Sequence, residues 1–168
     1  MVAALLLKLF VPQGPTFDWL KKVPPLKASN LVYIGLRDVD VGEKFLLKEH
    51  NIRAFSMFDV DQYGIGEVMK RTEEYLDSSK KGHTPVHLTF DIDALDPFYA
   101  PATGTAVRGG LTYREAHFVC EYLSQWDRLV AMDVVEVNPH VCIDAADETA
   151  KCATSLIGSA LGESILLR

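Results

Sequence analysis

The sequence has little of what marks several large classes of protein. Its 168 residues include three cysteines, an odd number with no Cys-x-x-Cys spacing. This argues against a disulfide framework or a zinc ribbon and favours free thiols in a reducing compartment. The 17 Lys and Arg are scattered, and 23 Asp and Glu outnumber them, for a net charge of -6. Such a chain is predicted to bind neither nucleic acid nor an anionic membrane.

Long hydrophobic runs, internal repeats and low-complexity tracts are also missing. The most apolar stretch, Met1–Phe10, is too short to span a bilayer and is interrupted by Lys8. It lacks the basic start and the small-residue cleavage site of a signal peptide, so we predict an amphipathic helix there. A hydrophobic fraction of 48% and a charged fraction of 24% are ordinary for one soluble globular domain.

Short apolar runs alternate with segments of helical periodicity along the whole chain. A turn cluster covers Lys80–Pro85, and Thr112 with Glu115 three residues later forms a capping box. The predicted strands are Leu31–Leu36, Ile52–Phe58, Val86–Ile92 and Leu129–Val135. The predicted helices are Gly42–His50, Gly64–Ser78, Thr112–Gln125 and Asp147–Leu166. Continuous apolar strands between helices predict an α/β fold with three layers, in which a parallel sheet is buried on both faces.

Acidic residues fall where three of these strands end. Ligands of an open α/β sheet bind at the carboxyl ends of its strands. Since side chains alternate along a strand, Asp91 and Asp93 are expected on one face, where they would repel each other without a cation. Hard oxygen ligands favour Mg, Ca or Mn, and solvated loop acids are the alternative. The acids at the three strand ends are Asp38, Asp40 and Glu43, then Asp91 and Asp93, then Glu136.

The histidines and Glu136 allow more than one interpretation. Glu136 could bind a guanidinium as a bidentate partner, or it could only cap the turn before Asn138-Pro139. His87 is predicted to be a core histidine with satisfied hydrogen bonds, and His117 to lie on a helix surface. His140 could approach a site at the strand ends.

Five motifs in register resemble arginase, the manganese ureohydrolase that splits arginine into ornithine and urea. They are Tyr33–Glu43, Thr89–Pro97, Pro101–Thr105, Gly109–Glu115 and Met132–Pro139. The resemblance runs from about Phe10 to the C-terminus. It implies an arginase/deacetylase-like fold that is truncated at its N-terminal side. Residues 1–168 would then be a partial domain, the C-terminal half of the catalytic domain.

The resemblance also implies a metal centre. Asp91 matches the carboxylate that bridges two Mn2+ ions, and Asp93 matches a ligand of the second ion. A metal-bridging hydroxide would attack the guanidinium carbon, which makes Asp91 part of the catalytic set.

Substrate contacts follow from the same motifs. Glu136 matches the catalytic residue that orients the guanidinium, and Thr105 lies in the pocket wall. Asp40 and Glu43 match the residues that hold the substrate's α-amino group. Because agmatine has no α-amino group, L-arginine is favoured as the small-molecule substrate.

The sequence departs from the family before its first strand. The Gly-Gly-Asp-His and Asp-Ala-His-x-Asp segments, which carry the family's other metal ligands, are not in these residues. We therefore expect that the isolated chain neither holds a binuclear cluster nor hydrolyses arginine appreciably. We also expect one sheet edge to be open, so that the chain self-associates.

Three alternatives remain. The chain could be a non-catalytic arginase fragment or pseudoenzyme, or an agmatinase-like ureohydrolase. A phosphatase of the haloacid dehalogenase type also starts with strand-Asp-x-Asp, but Leu95 and the lack of a later acidic pair or Lys argue against it. By resemblance we expect a homo-oligomer, a trimer as in the family, in the cytoplasm or the mitochondrion.

Overall fold

The predicted helices and strands occur in the predicted order, and one further helix, which was not predicted, follows the second strand. The computed structural model describes residues 2–12, 14–77 and 84–166. The strands are β1 (Val32–Leu36), β2 (Arg53–Ser56), β3 (Val86–Asp91) and β4 (Leu129–Val135). The helices are α1 (Val2–Leu6), α2 (Val41–Glu49), α3 (Met57–Tyr63), α4 (Ile65–Asp77), α5 (Tyr113–Trp126) and α6 (Ala146–Ala160). Single 3-10 helices cover Pro15–Lys22, Ala28–Asn30, Ile92–Ala94 and Ile143–Ala145. The predicted α/β class is confirmed.

The strands pair in two two-stranded sheets, β1 with β2 and β3 with β4. The pairing of β3 with β4 is parallel, as predicted, and runs from Val86 beside Leu129 to Asp91 beside Val135. Since both strands end at the same edge, Glu136 follows β4 where Asp91 closes β3.

Burial of the β3–β4 sheet on both faces was expected, and β3 shows a different pattern. His87 and Thr89 are exposed, whereas Phe90 is buried. The physical reason is visible in the sequence, because apolar and polar residues alternate along this strand, as in a half-buried one. The apolar face packs on α4 and α5 through Met69 and Val119.

The capping box predicted at the start of α5 is confirmed. The Thr112 hydroxyl accepts a hydrogen bond from the Glu115 N–H at 3.2 Å, and the Glu115 carboxylate accepts one from the Thr112 N–H at 2.7 Å. Together these bonds satisfy N–H groups that would otherwise lack partners at the helix start. The boundaries predicted for β4 are also correct.

Two predicted element ends are wrong. The strand predicted over Ile52–Phe58 ends at Ser56, because Ser56 and Asp59 form a second capping box that starts α3. The last helix ends at Ala160 and not at Leu166. Gly162 has a φ of 103°, and the Glu163 N–H returns to the Gly158 carbonyl at 2.9 Å, a helix-ending arrangement that favours glycine.

The first predicted helix is also shorter than expected, since α1 covers Val2–Leu6. Residues 78–83, which contain most of the predicted turn Lys80–Pro85, lie outside the described residues.

The chain forms two compact units. The first comprises Met1–Tyr33 and Val39–Ala54, and the second comprises Ile34–Asp38 and Phe55–Arg168. The second unit contains α3–α6, β3, β4 and the acids Asp91, Asp93 and Glu136. Among the described residues, no helix combines the length and apolar character needed to cross a bilayer.

Candidate metal and substrate site

Asp91 and Asp93 are brought together by a turn. β3 ends at Asp91, and Asp93 lies in the 3-10 helix Ile92–Ala94, so alternation along a strand is not what pairs them. The Asp91 Oδ1 accepts a hydrogen bond from the Asp93 N–H at 3.2 Å and so caps this turn. The expected proximity therefore has a different geometric cause.

The charge around Asp91 is strongly negative. Burial is the largest cause of a pKa raised to about 6 for this carboxyl, and the charges of Asp93 and Glu136 raise it further. The Asp93 N–H opposes the shift by stabilising the carboxylate. Crowded oxygen ligands on a partly buried edge suit a hard divalent cation, so these residues fit the manganese that the resemblance implies.

The donor set is incomplete by itself. Within the ranges that the structure describes, no group of three or more His, Cys, Asp or Glu side chains is arranged to hold a metal ion. Two carboxylates alone bind a divalent cation more weakly than the six or more oxygen ligands typical of tight sites. Asp91 and Asp93 alone therefore supply too few ligands for a tight metal site.

Glu136 stands at the same edge in an unusual backbone conformation. It follows the last residue of β4 with a φ of 64°, in the left-handed region that glycine, asparagine and aspartate favour. Its side chain is exposed. A Cβ at Gly104 would lie 4.0 Å from its Oε2, an ordinary van der Waals distance, so the motif Pro101–Thr105 lies beside the carboxylate.

The loop motif is held beside Glu136 by backbone contacts. Thr103 and Val137 form an antiparallel bridge, and the Asn138 N–H donates to the Ala102 carbonyl at 2.9 Å. Thr105, predicted in the pocket wall, is exposed on this loop.

Asp40 and Glu43 belong to the first unit, where they contact each other. The Asp40 Oδ1 accepts from the Glu43 N–H at 2.8 Å, and the Glu43 carboxylate accepts from the Asp40 N–H at 3.3 Å. This capping box starts α2. Their role toward an α-amino group stays a prediction.

The predictions for two histidines are wrong. His87 is 58% exposed at its side chain and lies 2.7 Å from the Asp133 carboxylate, because its strand face is uncovered in the described residues. His117 is buried, since α6 packs over the side of α5 that carries it. His140 is exposed in the loop after Asn138.

His117 belongs to a hydrogen-bonded group between α5 and α6, called here the histidine cluster. Its Nδ1 lies 2.8 Å from the Ser159 hydroxyl and its Nε2 lies 3.3 Å from the Ser155 hydroxyl. The Tyr113 hydroxyl donates to Ser155 at 3.0 Å. Burial lowers the pKa of His117.

Sequence reasoning missed Arg37, which lies beside the start of the loop 93–110. Its Nη2 donates to the Asp93 carbonyl at 2.6 Å and to the Val107 carbonyl at 2.7 Å. Its neighbour Asp38 is exposed. No side-chain pattern could have indicated Arg37, because its acceptors are backbone carbonyls. The one signal was a charged residue directly after an apolar strand.

Asp96 was also missed. Its carboxylate accepts from the N–H groups of Phe98, Gly109 and Gly110 at 2.9, 2.7 and 3.3 Å. The Phe98 bond contributes most to the lowering of its pKa. Asp96 thereby ties the two ends of the loop together.

An α/β fold with carboxylates gathered at the carboxyl ends of parallel strands defines the class of the molecule. A family model described as the Arginase family matches residues 11–162. The chain belongs to the arginase family.

Individual relatives agree. The chain is 51% identical over 150 residues to an arginase of Emericella nidulans, covering 89% of this chain and 45% of that protein. It is 49% identical over 156 residues to the mitochondrial arginase-2 of Rattus norvegicus, covering 92% of this chain and 43% of that protein. The native arginase of Bacillus caldovelox superposes with a TM-score of 0.85 at 37% identity, over 97% of this chain and 52% of that one. The chain thus spans about half the length of the relatives that it matches.

Proposed function

We propose that this chain takes part in the manganese-dependent hydrolysis of L-arginine to L-ornithine and urea. The observation that carries the proposal is the position of Asp91 beside Asp93 and Glu136, where burial first and then the charges of these two neighbours raise the pKa of Asp91 to about 6. A cation between these carboxylates would relieve the repulsion. The three relatives described above bear the name arginase, which supports the reaction type.

In this proposal Asp91 and Asp93 would be the residues of this chain that hold Mn2+. Bound manganese would supply a water of lowered pKa as the nucleophile. Asp93 is oriented for this role by the 3-10 turn, which keeps its carboxylate on the side of Asp91. Residues outside the 168 would have to complete the coordination, since two carboxylates leave most positions of such ions open.

Glu136 has the substrate role. A carboxylate and a guanidinium match as a bidentate pair, and the exposed position of Glu136 beside the Gly104 backbone leaves it accessible to a substrate. Thr105 would line the pocket. Asp40 and Glu43 would accept hydrogen bonds from the α-amino group, and this contact would favour arginine over agmatine.

A manganese binding experiment with a paramagnetic readout tests the proposal without turnover. Mn2+ is titrated into the 168-residue chain, and free ion is measured by electron paramagnetic resonance. The relaxation of the carbon-13 guanidinium signal of labelled L-arginine is then compared for the wild type and Glu136→Gln. Glu74→Gln serves as the matched control, because Glu74 is an exposed carboxylate on α4. Labelled agmatine tests the substrate.

We expect weak Mn2+ binding and faster relaxation of the arginine guanidinium, with the effect reduced several-fold in Glu136→Gln and unchanged in Glu74→Gln. An equal effect on agmatine would favour an agmatinase-like substrate. Manganese binding without any effect on either compound would favour a non-catalytic fragment, and absence of manganese binding would contradict the proposal. Urea release by the isolated chain is expected to stay near the buffer blank.

The oligomeric state and the cellular compartment of the protein are also part of the proposal. We infer a homo-oligomer, a trimer as in the family, in the cytoplasm, with the mitochondrion as the alternative. One matched relative bears the name mitochondrial arginase-2. Sedimentation of the purified chain tests the oligomeric state.

A further inference from the structure

We propose that Arg37 is a positioning residue for the metal ligand Asp93, an inference that rests on the proposed function. Arg37 lies in the second unit, directly after β1, and is partly buried. Its guanidinium donates to the backbone carbonyls of Asp93, Ala94, Leu95 and Val107.

The geometry uses the planar fork of arginine. Nη2 lies 2.6 Å from the Asp93 carbonyl oxygen, while Nη2 and Nε lie 2.7 and 3.0 Å from that of Val107. One rigid group thereby joins the two ends of the loop 93–110. Hydrogen bonds from a charged donor are about twice as strong as neutral ones. A lysine ammonium, a compact point charge on a flexible stem, cannot reproduce this fork.

Both peptide groups of Asp93 are consequently fixed. The N–H side is held by the Asp91 carboxylate at 3.2 Å, and the carbonyl side is held by Arg37 at 2.6 Å. A residue anchored at both peptide groups has little freedom to redirect its Cα–Cβ bond. Arg37 thus determines where the Asp93 carboxylate points relative to Asp91.

The other backbone hydrogen bonds at the two ends of the loop 93–110 do not hold the Asp93 carbonyl. The Leu111 N–H donates to the Ala94 carbonyl at 2.8 Å, and the Asp96 N–H donates to the Leu111 carbonyl at 2.9 Å. These bonds align the segments beyond Asp93. A Cβ at Gly110 would lie 2.6 Å from the Asp96 nitrogen, so the two segments are already as close as backbone allows. None of these contacts reaches the Asp93 carbonyl.

The inference predicts a change in Mn2+ affinity that is opposite in sign to the change expected from the charge of Arg37 alone. If Arg37 acted only as a nearby positive charge, Arg37→Met would tighten Mn2+ binding by removing repulsion. As a positioning residue, its loss should weaken binding by about 10- to 100-fold, as for other residues that orient a metal ligand. Arg37→Lys keeps the charge and loses the fork, so it should also weaken binding.

The test measures the Mn2+ dissociation constant by electron paramagnetic resonance for the wild type, Arg37→Met and Arg37→Lys at a temperature where each is folded by circular dichroism. Arg114→Met is the control, because Arg114 is an exposed arginine that pairs with Glu121 on α5. We expect weaker binding in both Arg37 variants and an unchanged constant in Arg114→Met. If Arg37→Met does not fold, Arg37→Lys decides.

Three results would overturn the inference. They are tighter binding in Arg37→Met, affinities within about twofold of the wild type in both folded Arg37 variants, and an equal loss in Arg114→Met. A wild-type chain that binds no Mn2+ would overturn the proposed function and this inference together. A wild type that binds while the Arg37 variants match it would overturn the inference alone.

Discussion

The second unit contains two polar groupings that differ in how their hydrogen-bonding and charge requirements are met. In the histidine cluster, both ring nitrogens of His117 lie within hydrogen-bonding distance of a serine hydroxyl. Among the carboxylates of the candidate site, burial and the charges of Asp93 and Glu136 instead raise the pKa of Asp91 to about 6. The polar groups of the histidine cluster find their hydrogen-bond partners within the fold. The carboxylates of the candidate site instead hold several negative charges close to one another.

This difference means that the histidine cluster stabilises the fold by itself, whereas the carboxylates of the candidate site would be stabilised only by a bound cation. A buried polar group with its partners in place contributes to stability, and removal of one partner leaves the others unsatisfied. Carboxylates that repel each other cost stability until a cation binds. A substitution among the carboxylates should therefore lower metal affinity and leave stability nearly unchanged. A substitution in the histidine cluster should lower stability and leave metal affinity unchanged.

The largest effect is expected from Asp91→Asn. The amide oxygen can still accept the Asp93 N–H, but the charge is lost, so Mn2+ affinity should fall by at least about 100-fold. Stability of the metal-free chain should stay unchanged or rise by up to about 1 kcal/mol, because the remaining repulsion is screened by solvent. Manganese titration and urea unfolding measure the two quantities. A clear loss of stability would show that the carboxylates are structural and would remove the contrast.

A smaller effect, of the opposite kind, is expected from His117→Phe. An aromatic ring is kept while two hydrogen bonds are lost, so the free energy of unfolding should fall by about 1–3 kcal/mol. Mn2+ affinity should not change. His140→Phe is the matched control, since His140 is exposed in a loop. Equal destabilisation by both substitutions would mean that the buried contacts of His117 contribute nothing particular.

The smallest effect is a dependence on pH. Burial lowers the pKa of His117 in the folded chain, and Arg114 lowers it further, while Glu121 and Glu163 oppose the shift. The unfolded chain therefore takes up a proton first as the pH falls below about 6.5. Stability should be full above that pH and decline as the pH falls toward the lowered pKa of the folded state. This slope should appear between pH 5 and 8 in the difference between the unfolding midpoints of the wild type and His117→Phe, because the raised pKa of Asp91, which acts in the opposite direction, is common to both.

Sequence pattern predicted the fold where local chemistry and packing agree. β4 and the capped start of α5 were placed correctly, because an apolar run and a capping box each act over a few residues. The prediction that the second strand continues through Met57 and Phe58 was wrong. It relied on these two apolar residues and overlooked that Ser56 and Asp59 form a capping box, which starts a helix there. The exposure of His87 depends on what covers its strand face, which no local pattern contains.

The candidate site divides in the same way. The proximity of Asp91 and Asp93 was predicted from their spacing, although a 3-10 turn and not strand alternation produces it. Arg37 and Asp96 could not be predicted, because their partners are backbone groups far along the chain. Backbone carbonyls and N–H groups are present at every residue, so the sequence carries no mark of which ones a side chain will meet.

The left-handed backbone of Glu136 has a consequence for how this surface would respond to selection. A residue other than glycine, asparagine or aspartate at a φ of 64° bears a strain of about 1 kcal/mol or more. A search for heat-resistant variants would therefore find Glu136→Gly favourable. That substitution would remove the carboxylate beside the motif Pro101–Thr105. At this position backbone stability favours glycine, whereas the proposed contact with the substrate guanidinium requires glutamate.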